Sequence, residues 1–287
     1  MSQKTIYAGA HQYSIESQDG EAISRQELIK AVPVIGNDGS NHNMTKRYVP
    51  ISTLELIDIM EQSNFGVVSA FQTKPHDRPN NHNQLQHARH CVRFRNPELS
   101  YLFNNEEQYE IVVLNSFNGQ TRLEVSTGVF RPVCSNGMVV GDTCTGTAIR
   151  HLGEKSDIMA EVKRIVDNAP EVAEVVSRMK GTFIAGNRQR DLAKEIATIR
   201  FGEDEIERIN FQDMLKPIRS QDNGDDIWTV FNRLQEKVIK GGIIRSIGQP
   251  VEGSPSQRTS SRLKNPIEII RVNRRIWDAA EGFLEPA

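Results

Sequence analysis

The chain has 287 residues, 37% of them hydrophobic and 25% charged, with a net charge of -2. That length supports one large domain or two small ones with a self-sufficient core, and the composition excludes wholesale disorder. The near-neutral balance excludes a global attraction to nucleic acid or to a membrane, so any such binding must come from a local patch.

No run of about 18 apolar residues occurs, so no membrane partner is expected. Residues 1–20 are polar and lack the apolar core of a signal peptide. The three cysteines, Cys91, Cys134 and Cys144, are odd in number and not closely paired, which fits a reducing, cytoplasmic compartment.

Residues 1–45 read as a variable polar segment with one short helix over Ser24 to Ala31 and a loop over Gly36 to Asn43. A helix follows, capped by Ser52 or Thr53 and carrying Leu54, Leu56, Ile57 and Met60. Strands are predicted over Gly66 to Thr73 and His90 to Arg95, separated by a polar loop from Pro75 to Gln86. In the second, Val92 and Phe94 take one face and Cys91, Arg93 and Arg95 the other. Tyr109 to Ser116 is the most apolar strand, and Asn118-Gly119 signals a hairpin turn. Arg122 to Ser126 and Val129 to Val133 read as one bent strand broken at Gly128. Asn136-Gly137 marks a second turn before a return strand, Met138 to Val140.

From Ser156 the pattern turns helical. Ile158, Val162, Ile165 and Val166 form one stripe, and Val172, Val175, Val176 and Met179 another. Ala193, Ile196 and Ile199 suggest a further helix. Trp228, Phe231, Leu234, Val238 and Ile239 suggest the next, begun by Asp225 and Asp226 and ended by Gly241-Gly242. Residues 246–264 read as a flexible basic linker. A last helix, about Pro266 to Leu284, packs Ile269, Ile270, Ile276, Trp277 and Phe283. The fold class is therefore α+β, with a β-rich core over 46–155, a helical region over 156–245 and a C-terminal helix within 265–287.

His76, His82, His87, His90 and Cys91 are potential metal ligands, but they lack fixed ligand spacing, and a polar loop leading into a strand explains them. Asp222, Asp225 and Asp226 read as helix caps. Cys134 with His151 as a base, and Gly141 to Gly146 as a phosphate loop, both fall short of the required pattern. Neither catalytic residues nor a cofactor are expected. Basic residues are locally biased. Between Lys237 and Arg275 nine Lys/Arg face two Glu, in a chain whose total charge is negative. Lys46, Arg47, Arg89, Arg93 and Arg95 form a second basic group.

The run Phe130-Arg131-Pro132-Val133-Cys134-Ser135-Asn136-Gly137 resembles the F-R-x-V-C-x-N-G core of the YfjQ/YafZ-like family of phage, prophage and plasmid proteins of unknown function. Gln72-Thr73, the His87/His90 pair, Arg93 with Arg95, and Leu114-Asn115-Ser116 fit the same group. So do Arg200-Phe201-Gly202-Glu203-Asp204, Trp228-Thr229, Arg233, Gln235-Glu236, Ile239-Lys240-Gly241-Gly242, and Asn273-Arg274 with Trp277. The resemblance covers about residues 45–285 and implies a mobile genetic element. The order of elements over residues 52–180 also resembles the core of single-strand annealing proteins of the Erf and eukaryotic Rad type.

These resemblances and the basic bias together lead to the expectation of a protein that binds single-stranded DNA and promotes annealing without covalent catalysis. The expected contacts are Arg89, Arg93, Arg95, Arg131, Lys240, Arg245, Arg258, Arg262 and Lys264. Arg131 is also expected to fix the adjoining strand through a charge-assisted bond. A homo-oligomer, as a ring or filament, is the expected assembly. The alternatives are a counter-defence protein that inhibits a host protein, and a metal-dependent nuclease.

Overall fold

The computed structural model describes residues 4–8, 12–38, 48–74, 85–104, 107–118, 122–130, 142–149, 167–246, 257–263 and 265–284, with isolated positions between 156 and 164. The chain divides into two compact units, one of residues 1–137 and 145–170, the other of residues 138–144 and 171–287.

The first unit is built on an antiparallel sheet. Strands β1 (Lys4–Ala8), β2 (Gln12–Ser17), β3 (Gly66–Thr73), β4 (His90–Arg95), β5 (Gln108–Asn115) and β6 (Leu123–Phe130) follow each other in space as in sequence, and β7 (Asp142–Ile149) is next in the order. One face carries an apolar row formed by direct cross-strand partners: Ile6, Ile15, Ala70, Val92, Val113 and Val125. All but Ile6 are buried.

Helix α1 (Arg25–Ala31) starts with a capping box in which Ser24 and Glu27 satisfy each other's backbone donors. Lys4 on β1 reaches the same Glu27 at 2.7 Å. Helix α2 (Thr53–Gln62) is capped by Ser52 and buries Leu56, Ile57 and Met60.

Three expectations need correction here. Residues 4–8 and 12–17 are a two-stranded extension of the sheet; these short polar strands bury only Ile15 and Ser17 among the side chains described, so they carry little apolar signal. Strand β6 runs unbroken through Gly128, which pairs with Glu110 in register. The linker expected over 246–264 is in part ordered, as shown below. The stripe from Ile158 to Val166, the turn at Asn136-Gly137 and the strand from Met138 to Val140 lie outside the described residues.

The second unit holds α3 (Ala169–Gly181), α4 (Gly186–Phe201), the short α5 (Phe211–Leu215), α6 (Ile227–Lys240) and α7 (Pro266–Glu281). Its largely aliphatic core contains one aromatic cluster: the rings of Trp228, Phe231 and Trp277 meet pairwise at 5.7–6.2 Å, all three buried. Asp226 caps α6 by accepting from the Thr229 amide.

Helix α6 ends at Gly241 and Gly242, with φ of 83° and 98°. The chain then forms β8 (Ile244–Ser246), which pairs antiparallel with β9 (Gln257–Thr259). The ribbon is sewn to its surroundings by Gly242 N–H to Ser260 O, Ser260 N–H to Ile243 O, and Leu263 N–H to Ile239 O, each at 2.9 Å. On its other side Ile209 bridges to Arg245. Residues 257–263 are therefore held by backbone bonds, and Ser260 and Leu263 are buried.

A Cβ at Gly241 would lie 2.5 Å from the Ser260 carbonyl oxygen, whereas one at Gly202, with nearly the same φ of 84°, would meet nothing within 4 Å. Both substitutions by Ala incur the backbone cost of this region, about 1–3 kcal/mol. Gly241→Ala is expected to destabilise the protein clearly more than Gly202→Ala, because only Gly241 has backbone in the way. Urea unfolding of the two variants checks this.

Candidate functional site

Register dictates where the first basic group goes. Arg95 on β4 lies directly opposite Glu110 on β5, and Arg93 lies two residues away on the same face. The Glu110 carboxylate has no exposed surface and accepts from Arg93 Nε at 2.7 Å and from Arg95 Nε at 3.0 Å and Nη2 at 2.5 Å. Glu16 on β2 adds a second carboxylate 3.6 Å from Arg93. Burial alone would lower the Arg93 pKa, but the charge and hydrogen bond of Glu110, with Glu16, turn the net shift upward.

The opposite face of the sheet carries a polar row at one end: Gln72, His90 and Asn115, all buried and in direct cross-strand register. Each anchors a different segment. Gln72 accepts from the Val34 amide at 2.9 Å and donates to the Leu85 carbonyl at 3.3 Å. Asn115 donates to the Ile51 carbonyl at 3.1 Å. His90 Nδ1 lies 3.0 Å from the Ala88 carbonyl, which can only accept, so Nδ1 holds the proton and Nε2 accepts from the Thr53 hydroxyl at 2.7 Å. Both ring nitrogens are therefore engaged. Cys91 is the next residue on the strand and faces the other side of the sheet, where burial pushes its thiol up to about 12. His90 and Cys91 thus cannot share an ion. His87 lies before β4, and His76 and His82 lie outside the described residues.

The second unit repeats this internal use of charge. Glu236 on α6 accepts from Arg219 at 2.6 Å and Lys240 at 2.8 Å. Arg233 donates to the carbonyls of Leu215, Asp222 and Gly224 at 2.7–2.8 Å. Gln235 donates to Asn273 at 2.9 Å. Of the acids Asp222, Asp225 and Asp226, the last is a cap, Asp225 accepts from Gln189 at 2.9 Å, and Asp222 is buried beside Arg219.

The expected contact residues have different surroundings within their own units. Arg93, Arg95 and Lys240 are tied to buried carboxylates. Arg89 is half-buried just before β4. Arg131 and Lys264 lie outside the described residues. Arg245 and Arg258 lie on the β8–β9 ribbon, and Arg262 lies three residues beyond the end of β9. Arg245 is directly opposite Arg258, lies 3.4 Å from Glu205, and its guanidinium is 4.8 Å from the Phe201 ring centre. Arg258 and Arg262 are exposed, and neither has an acidic partner among the described residues.

The sequence reading missed Glu110, although a lone carboxylate inside the most apolar strand was a usable signal. It also missed Phe201 and Glu205 as neighbours of Arg245, a pairing that no local pattern reveals.

A family model described as a domain of unknown function, DUF932, matches residues 42–265. The chain belongs to this family. It is 30% identical over 270 residues to the UPF0380 protein YfjQ of Escherichia coli (strain K12), and 29% identical over 270 residues to the UPF0380 protein YafZ of the same strain. Each alignment covers 91% of this chain and 92% of the relative. No solved structure matches the chain. Within the family span, Gln72, His90, Asn115, Arg233 and Gln235 all serve as internal anchors, while β1, β2 and α1 precede it.

Burial holds the His90 pKa down to about 4, from an ordinary 6.5. Above pH 6.5 the ring is neutral in folded and unfolded chains alike. As pH falls from 6.5 towards 4 only the unfolded ring takes up a proton, so stability drops through this window, by about 3 kcal/mol at full extent. In His90→Gln that part of the slope is expected to vanish, which denaturant midpoints of parent and variant across the window measure.

Proposed function

We propose that this protein binds single-stranded DNA through the β8–β9 ribbon, as an accessory of a mobile genetic element that promotes strand pairing without covalent chemistry. The observation carrying this reading is the register of the ribbon. Arg245 and Arg258 oppose each other directly, and like charges in that position destabilise a two-stranded ladder. Glu205 answers Arg245, but among the described residues no carboxylate answers Arg258, or Arg262 three residues beyond β9. An anionic backbone laid along the ribbon would offset that repulsion. Phosphates are the fitting anion, because Arg presents a fixed donor fork that matches them. A flexible single strand can follow a short ribbon, and the reading requires no metal or cofactor.

Arg93, Arg95 and Lys240 have no part in this reading, because release from Glu110 or Glu236 would strip a buried carboxylate of a charged partner. Arg245 contributes field and position, and Arg258 and Arg262 make the contacts.

The test is fluorescence anisotropy with labelled single- and double-stranded DNA across a salt series. Binding of the single strand should weaken linearly in log-log form with added salt. The Arg258→Ala/Arg262→Ala double variant should bind more weakly, with a slope shallower by about 1.4, at about 0.7 per phosphate lost. Both side chains are exposed, so the melting temperature should hold. A parent that binds neither DNA form at low salt, or a double variant with the parent's affinity and slope, removes this reading.

A further inference from the structure

Strand β1 ends the sheet, and among the described residues its only ladder partner is β2. Such an end strand presents backbone donors and acceptors along its outer side, and proteins commonly guard it with charge, proline or a bulge. Lys4 is the one charge on β1, and its ammonium is neutralised by Glu27 at 2.7 Å. Thr5, Ile6, Tyr7 and Ala8 are exposed, Ile6 at 59% and Tyr7 at 55%. Ile6 is also the last member of the apolar row that runs through Ile15, Ala70, Val92, Val113 and Val125, and it alone in that row is uncovered.

We propose that β1 pairs antiparallel with β1 of a second copy of this chain, about a two-fold axis at Ile6. In this register Ile6 faces the partner subunit's Ile6, and the apolar row of one sheet continues into the other without a break. Thr5 faces the partner subunit's Tyr7, and Lys4 faces the partner subunit's Ala8, so no like charges oppose. An isologous contact needs a self-complementary patch, and this five-residue strand supplies one. A ladder that short buries less than the roughly 1,200 Å² at which stable interfaces begin, so the dimer is weak and depends on concentration. This assembly is a closed pair. A head-to-tail ring or filament would join β1 to a different surface.

The full chain in sedimentation equilibrium, from dilute to the highest soluble concentration, should fit a monomer–dimer model. Ile6→Lys, which sets two ammonium groups face to face, should weaken the association at least about tenfold, with the melting curve reporting on the fold. Ile6→Cys tests register with a milder change. Under mild oxidation it should yield a covalent dimer well above the parent's background. Ala8→Cys should not, because two copies of residue 8 lie about 13 Å apart along the paired strands, beyond disulfide reach. A parent that stays monomeric, a series of species larger than dimer, or Ala8→Cys cross-linking as well as Ile6→Cys would each overturn the proposal. So would a dimer in which Ile6→Cys forms no covalent link, since the contact would then lie elsewhere.

Discussion

A carboxylate with no exposed surface needs positive charge beside it, and Glu110 obtains it from Arg93 and Arg95. The two arginines sit two residues apart on β4, so both reach the same face. A slip of one residue would send them to the other face and leave Glu110 buried alone. The β4–β5 register is thereby pinned at the centre of the sheet. The rows on the opposite face follow from it: the apolar row through Val92 and Val113, and the polar row of Gln72, His90 and Asn115.

This constraint sorts the charged residues of the chain into two kinds. In both units several polar residues are turned inward and paired. His90 holds Thr53 and Ala88, Arg233 gathers three carbonyls, and Glu236 holds Arg219 and Lys240. Networks of this kind specify one arrangement of the chain because each unpaired member would be costly. They leave little charge at these positions for a ligand. The ribbon after α6 is different, since Arg258 is exposed and has a like charge across the ladder.

Much of the fold was legible in the sequence. The strand from Gly66 to Thr73, the strand from His90 to Arg95, caps at Ser52 or Thr53 and at Asp225 or Asp226, and the apolar stripes of α3, α4, α6 and α7 all follow from local spacing and local chemistry; the structure selects Ser52 and Asp226. Strands β1 and β2 did not show, because both are short and carry polar residues on both sides of their pattern. The alternation of β4 correctly set Arg93 and Arg95 opposite Val92 and Phe94, yet both faces of that strand are covered. Only the pairing of Arg95 with Glu110, across an intervening turn of helix and loop, reveals where the charge goes. The ribbon was hidden for the same reason: Gly, Ser and Pro over 246–264 resemble a linker, whereas the bonds that hold residues 257–263 come from Ile239, Gly242 and Ile243.

The division between inward and outward arginines can be tested by labelling the folded protein with phenylglyoxal, with and without a single-stranded oligonucleotide, and mapping the modified arginines by mass spectrometry. Arg258 and Arg262 should label readily in the free protein and become protected by the DNA, while Arg93 and Arg95 should label only after unfolding. Ready labelling of Arg93 and Arg95 in the folded protein, with protection by the DNA, would contradict the account.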